Sequence, residues 1–193
     1  MVLTIDIGNT TIGIGGFQGN KLLFIEKISS RRPLSDAGYI EKLNMILNKH
    51  GLSAEAFEGS MISSVVPSVT AVFSSALETF LGRKPLILSH KLDLGYEICT
   101  EFPEKVGCDR LADIAGAISR YSLPFVTIDL GTATTFNVLD ENRRFLGGLI
   151  LPGVGTAHRA LLGKTAQLPK GDIHMPAHTC LLYTSPSPRD GAT

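Results

Sequence analysis

Apolar residues alternate with small or polar ones in three short runs, residues 2–7, 11–17 and 20–28, with Gly8-Asn9 and Gly19-Asn20 between them. This period-two pattern with Gly-Asn breaks predicts three strands joined as a β-meander. The period then lengthens. Over residues 36–50 (DAGYIEKLNMILNKH), Ile40, Leu43, Ile46 and Leu47 recur at helical spacing and Gly51 follows as a stop, which predicts an amphipathic helix. GSMISSVVP reads as a strand that ends at Pro67. Residues 68–81 read as a helix with Val72, Leu77 and Phe80 inward. KPLILS reads as a further short strand. CDRLADIAGAISRY (residues 108–121) reads as a helix of small residues able to pack closely on a sheet.

After this βββαβαβ order and its helix, the opening pattern returns. Residues 124–139, PFVTIDLGTATTFNVL, again run from an apolar strand through a carboxylate, a glycine and a Thr-rich turn into a second apolar strand. RRFLGGLILPG supplies a third strand and GTAHRALLGKTAQL a helix. Placing Asp6 on Asp129 gives the repeat T-I-D-[IL]-G-[NT]-[TA]-T at an offset of 129 − 6 = 123 residues. Two βββα beginnings in one chain imply two similar domains facing one another.

The repeat bears on chemistry. One Asp-Gly turn between strands needs no ligand, because Asp and Asn beside Gly are ordinary turn formers. Two matched hairpins that each carry a carboxylate, a glycine and several hydroxyls at the turn suggest a shared task. Backbone N–H groups of such turns cradle phosphate oxygens, hydroxyls add donors, and a carboxylate holds a metal directly or through water. A nucleotide gripped between the two hairpins accounts for both; two duplicated structural turns are the alternative.

Bulk properties narrow the partners. Lys plus Arg equals Asp plus Glu at 18 each, so no global field recruits nucleic acid or an anionic membrane, and an anionic ligand must be held locally. No apolar run approaches the roughly 18 residues that span a bilayer. Asp6 interrupts the first apolar run, so no secretory leader is expected and the location reads as cytoplasmic. Cys99, Cys108 and Cys180 are odd in number and lack metal-ligand spacing, which argues against a disulfide framework and a zinc site.

Three segments together resemble the type III pantothenate kinases, within the superfamily of acetate and sugar kinases, heat-shock chaperone ATPases and actin. They are DIGNTTIGIG (6–15), GCDRLADIAGA (107–117) and DLGTATTFNVLD followed by GGLILPG (129–153), in the family's order and spacing. The resemblance runs to about residue 176. It implies an α/β fold of duplicated ribonuclease H-like (actin-like ATPase) domains, the first over 1–115 and a second, incomplete one over 116–176. It also implies ATP-dependent phosphorylation of pantothenate, the first step of coenzyme A biosynthesis. By the same resemblance Asp6, Ile7, Gly8, Asn9, Thr10, Thr11, Ile12 and Gly13 form the first ATP loop, with Asp6 near a Mg2+-nucleotide. Thr132 touches ATP in the second loop, and Asp129 holds a monovalent cation, K+ or NH4+. Gly107, Cys108, Asp109, Arg110 and Thr100 belong to the pantothenate site, with Asp109 as the base, and the functional unit is a homodimer.

The chemistry of these residue types agrees. Phosphoryl transfer is mainly positioning and charge stabilisation, so one carboxylate within reach of the hydroxyl suffices to orient it and take its proton late. Arg110 offers a donor fork suited to an anionic or amide-bearing substrate. A bland alternative is that Asp109 caps the helix that follows. His158 reads as a surface or packing residue, Cys108 as a packing substitution for a small residue, and Arg31-Arg32 as a solvated loop. A kinase for another small alcohol, and a non-catalytic nucleotide-binding regulator of the transcription accessory type, are the competing functions; only the kinases need Asp109.

Two departures from the family pattern stand out. Thr100 occupies the place where the family commonly has a pantothenate-contacting Tyr. The end of the chain, CLLYTSPSPRDGAT, lacks helical or strand periodicity where family members continue, so residues 177–193 read as a non-native tail. On that reading Ile150, Leu151 and their neighbours are left exposed, which predicts poor solubility or association.

Overall fold

The computed structural model describes residues 1–164. The three opening strands are present as β1 (Val2–Ile7), β2 (Thr11–Gln18) and β3 (Lys21–Ser29), followed by helix α1 (Asp36–Lys49). Strand β4 (Gly59–Ser64), helix α2 (Pro67–Leu81) and strand β5 (Leu86–Ile87) complete the first unit. Its sheet has the order β3-β2-β1-β4-β5, the first three antiparallel and the last two parallel to β1 and β4 respectively. A meander continued by parallel crossovers is the ribonuclease H-like arrangement implied above.

Local chemistry explains the helix ends. Ser35 caps α1 by accepting from the Gly38 N–H at 3.3 Å, Asp36 lies in the first turn and Lys49 in the last, each favourable to the helix dipole. Pro67 opens α2 at a position where its missing N–H costs nothing, and Gly82 ends it in the left-handed region at φ 66°. Both helices cover one face of the sheet, burying Leu3, Ile5, Ile7, Ile12, Ile14 and Ile62. Tyr39 and Phe73, which the helical spacing did not single out, seal the layer with ring centroids 4.5 Å apart. Val72 and Phe80 are only partly buried.

The opposite face of that sheet is of another kind. Thr4, Asp6, Gly13, Lys27, Met61 and Ser63 line the cavity on that side. Across from it lies helix α3 (Cys108–Ile118), shorter than the pattern predicted because Ser119 closes it, its hydroxyl donating to the Gly116 carbonyl at 2.8 Å.

A second sheet of order β6-β9-β8-β7 follows, built from β7 (Phe125–Leu130), β8 (Ala133–Leu139), β9 (Arg144–Pro152) and a two-residue strand β6 (Glu97–Ile98). Strand β6 precedes α3 in the chain yet pairs in parallel with β9. The GYEICT stretch around it carries no apolar run like the KPLILS that announces the equally short β5, so this strand is not among those predicted. Ile114, Leu139 and Phe145 form the small core between α3 and this sheet. Helix α4 (Val154–Lys164) follows β9; the predicted continuation of this helix and the 177–193 tail lie outside the described residues.

Much of the second sheet is bare. Ile128, Leu130, Leu149 and Ile150 are all more than half exposed, and Leu151 is 48% exposed. The predicted exposure of Ile150 and Leu151 is therefore what the structure has.

Candidate active site

Each hairpin of the repeat ends at one cleft. Asp6 is the penultimate residue of β1 and Asp129 that of β7, so both carboxylates stand at the strand ends where the turns begin. The first turn closes with the Gly8 N–H donating to the Thr11 carbonyl, the second with the Gly131 N–H donating to the Ala133 carbonyl, both at 2.9 Å. The hydroxyls of Thr10 and Thr132 meet across the gap at 3.3 Å. Between the turns is a cleft of about 360 Å³ lined by Asp6, Gly8, Asn9, Thr10, Thr11, Asp109, Asp129, Gly131, Thr132 and Thr135, among others.

The second turn is braced from behind. Gly153 donates its N–H to the Thr132 carbonyl at 3.0 Å, and the Thr156 hydroxyl of α4 donates to the same oxygen at 2.9 Å. A side chain at Gly153 would run into the Gly131 and Thr132 backbone, so only glycine lets α4 begin this close to the turn.

Helix α3 supplies the third carboxylate. Gly107 is its N-cap residue and Asp109 is one residue inside it, so Asp109 is not the cap; its Oδ1 accepts from the Arg110 N–H at 2.8 Å. One turn further, Asp113 lines the adjoining cavity of about 530 Å³ with Asp6, Asp109 and Asp129. Burial pushes the Asp113 carboxyl up to about 6, helped by the charges of Asp129, Asp109 and Asp6 and opposed by Arg110. Asp6 is raised too, first by burial and then by Asp109 and Asp129, while the Ser63 hydroxyl and Lys27 favour its charged form. This part of the cleft is strongly negative.

Arg110 points away from that cluster. Its Nε donates to Asn137 Oδ1 at 2.6 Å and its Nη2 to the Phe136 carbonyl at 3.2 Å, with the guanidinium 5.5 Å from the Phe145 ring. Asn137 is fully buried and donates in turn to Thr127 Oγ1 at 3.0 Å. Gly148 stands opposite Asn137 on β9, and a side chain there would strike the Phe136 carbonyl and Arg110 Nη2. Two of the five guanidinium donors are thus used to seat the side chain. Partial burial lowers its pKa, an effect countered by Asp109 and Asp113.

The remaining residues named from the sequence are placed as follows. Ile12 is fully buried in the first core, so it shapes the loop from beneath. Cys108 packs with its thiol donating to the Leu88 carbonyl at 3.1 Å. Thr100 sits beside Gly147 of β9 and lines neither cavity, and Tyr96 nearby is committed to the Leu111 carbonyl at 3.0 Å. His158 is half-buried on α4 and also lines neither. Lys27, Ser63, Asp113, Thr135 and Asn137 were not singled out from the sequence. For the four strand residues the signal is register, which only pairing reveals; Asp113 shares the Asp109 face of α3 one turn on, a helical spacing legible in the sequence.

A sequence profile described as type III pantothenate kinase matches residues 2–192. The chain belongs to the type III pantothenate kinase family. Over 176 residues it is 40% identical to the type III pantothenate kinase of Bifidobacterium animalis subsp. lactis, covering 91% of this chain and 70% of that protein. The Finegoldia magna type III pantothenate kinase is 36% identical over 176 residues, 91% of this chain and 67% of the relative. Among solved structures, a Campylobacter jejuni protein assigned to the Baf family of transcriptional activators superposes with a TM-score of 0.52 at 17% identity, covering 92% of this chain and 67% of that one. That likeness establishes the shared fold. The family's kinase chemistry requires a nucleotide with a divalent metal, a hydroxyl acceptor and a proton acceptor.

Proposed function

We propose that this chain phosphorylates pantothenate with ATP, giving 4'-phosphopantothenate at the entry to coenzyme A synthesis. The observation that carries the reading is convergence: both hairpin turns and the Asp109 carboxylate of α3 open on one cleft. The turn N–H groups and the Thr10, Thr11 and Thr132 hydroxyls are suited to phosphate oxygens. Arg110 anchors the pantothenate end with the donors that Asn137 and Phe136 leave free. Asp109 orients the acceptor hydroxyl and takes its proton as the new O–P bond forms.

Two cations fit the donor sets. Asp6 offers hard carboxylate oxygen at the end of β1, suited to Mg2+ with the nucleotide. Across β7 and β8, Asp129 pairs with Thr135, whose buried hydroxyl has no hydrogen-bond partner among the described residues. An orphaned hydroxyl beside a carboxylate is a fitting half-shell for K+ or NH4+. The bound cations supply charge neutralisation at the phosphoryl oxygens. A homodimer and a cytoplasmic location complete the reading by family resemblance; no helix among the described residues is long and apolar enough to cross a membrane.

The test is Asp109→Asn assayed by pantothenate-dependent ADP release beside nucleotide binding. Turnover should fall by roughly 10²–10⁴ while ATP binding persists, the range for loss of a general base. Full turnover in the variant would remove Asp109 from its role. ATP binding without any pantothenate dependence in the parent chain would favour a regulatory binder.

A further inference from the structure

The cleft gathers the carboxylates of Asp6, Asp109 and Asp129, and the nucleotide adds more negative charge. Among the described residues lining it, Lys27 is the one basic side chain. It also lines the adjoining larger cavity and a groove that leads outward past Thr10 and Thr11.

The sheet register explains how a β3 residue comes to serve the β1 carboxylate. Lys27 pairs with Gly13, Gly13 with Asp6, and Asp6 with Ser63, so the four residues form one row across β3, β2, β1 and β4. Directly paired residues project to the same face, and two strand spacings put the Lys27 and Asp6 backbones roughly 10 Å apart. The residue between them has no side chain. The ammonium and the carboxylate therefore face each other over an open floor, and the charge of Lys27 favours ionised Asp6. Yet Lys27 makes no ion pair among the described residues. Glu26, next to it on β3, shows the contrast: its Oε1 is held by Lys49 at 2.6 Å and His50 at 2.9 Å.

We infer that Lys27 is the side chain that binds the γ-phosphoryl group of ATP and stabilises its charge during transfer. In that step the acceptor oxygen bonds to the γ-phosphorus as the bridging P–O bond breaks, its electron pair staying on the β-phosphate of ADP. The hydroxyl proton goes to Asp109, and Lys27 remains protonated throughout. Its role is electrostatic, which suits a flexible point charge that follows the moving phosphoryl group.

The inference rests on the kinase reading, and nucleotide discrimination separates the two. The affinities of AMP-PNP and ADP are measured for the parent chain, Lys27→Met, Lys27→Arg and, as a control at the far end of the same strand, Lys21→Met. Lys27→Met should weaken AMP-PNP by about tenfold or more, as loss of a charge-assisted hydrogen bond does, and ADP by less than about twofold. Its kcat for pantothenate should fall by about 10²-fold. Lys27→Arg should keep most of the discrimination, and Lys21→Met should match the parent. Equal loss of both nucleotides in Lys27→Met, or no loss of either, overturns the assignment. A parent chain that binds AMP-PNP without phosphorylating pantothenate overturns the substrate and leaves Lys27 to be judged on binding alone. A parent that binds neither nucleotide overturns both.

Discussion

Replacing Asp113 by Asn should stabilise the protein at alkaline pH and leave it unchanged in acid. Its carboxyl titrates near 6 in the folded protein against an ordinary value of 3.8, chiefly because of burial and then because Asp129, Asp109 and Asp6 repel its charge. A folded-state value above the unfolded one means that the native protein holds the proton more tightly. Stability therefore falls as pH rises from about 4 to about 6, and the full penalty is present above that window. At about 1.4 kcal/mol per unit the shift corresponds to roughly 3 kcal/mol. Asp113 is only half-buried, so solvent screening brings the realistic gain on removing the charge to about 1–2 kcal/mol. For a chain of this length that is about 2–8 °C in melting temperature. Melting curves of parent and variant at pH 8 and pH 4, in chelator and a tetramethylammonium buffer so that no bound cation offsets the charges, give the comparison. A rise at pH 8 that disappears at pH 4 is the expected pattern. An equal change at both pH values, or a loss at pH 8, would mean that the side chain acts through hydrogen bonding or packing and that the repulsion argument is wrong.

Other perturbations address the rest of the site. Asn137→Leu leaves the Arg110 Nε–H without its acceptor and should raise the pantothenate KM by roughly tenfold, about 1–2 kcal/mol, with the ATP KM unchanged. Asn137→Asp, which can still accept from Arg110 while Thr127 turns its hydroxyl to donate, should restore it; equal damage in both variants would reduce Asn137 to packing. Thr135→Val should weaken monovalent-cation binding by roughly tenfold, read as the K+ concentration needed to raise the melting temperature, and an unchanged K+ response would remove Thr135 from the cation site.

The outer frame of the molecule was legible because it is written in periodicity. Three alternating runs, a 3.6-residue spacing and well-placed Gly and Pro predicted β1 to β4 with α1 and α2 to within a residue or two at most ends. Elements held by partners elsewhere in the chain were not legible. Strand β6 exists only because β9 offers it an edge, and Tyr39 and Phe73 meet only when α1 and α2 share a sheet face. The same division runs through the site. Asp6, Asp109 and Asp129 announce themselves as acidic residues at turns or a helix start, whereas Asn137 looks like one more polar residue in a strand until Arg110 is found bonded to it.

The repeat shows where the boundary lies. Asp6 and Asp129 align without a gap through eight residues, which suggests two equivalent grips. But β1 and β2 are joined by Gly8, Asn9 and Thr10, while β7 and β8 are joined by Gly131 and Thr132 alone. One residue fewer in the loop shifts the register by one, and a one-residue slip in an antiparallel pair changes which side chain faces the cleft. Opposite Asp6 stands Gly13, and opposite Asp129 stands Thr135. The first hairpin thereby keeps an open floor that Lys27 overlooks, and the second fills the same place with a hydroxyl. On the proposed reading, two copies of one motif thus come to offer different chemistry, one with room for a phosphoryl group and its metal, the other with a second oxygen for a cation. The difference lies in loop length, and it becomes visible only when strand is paired with strand.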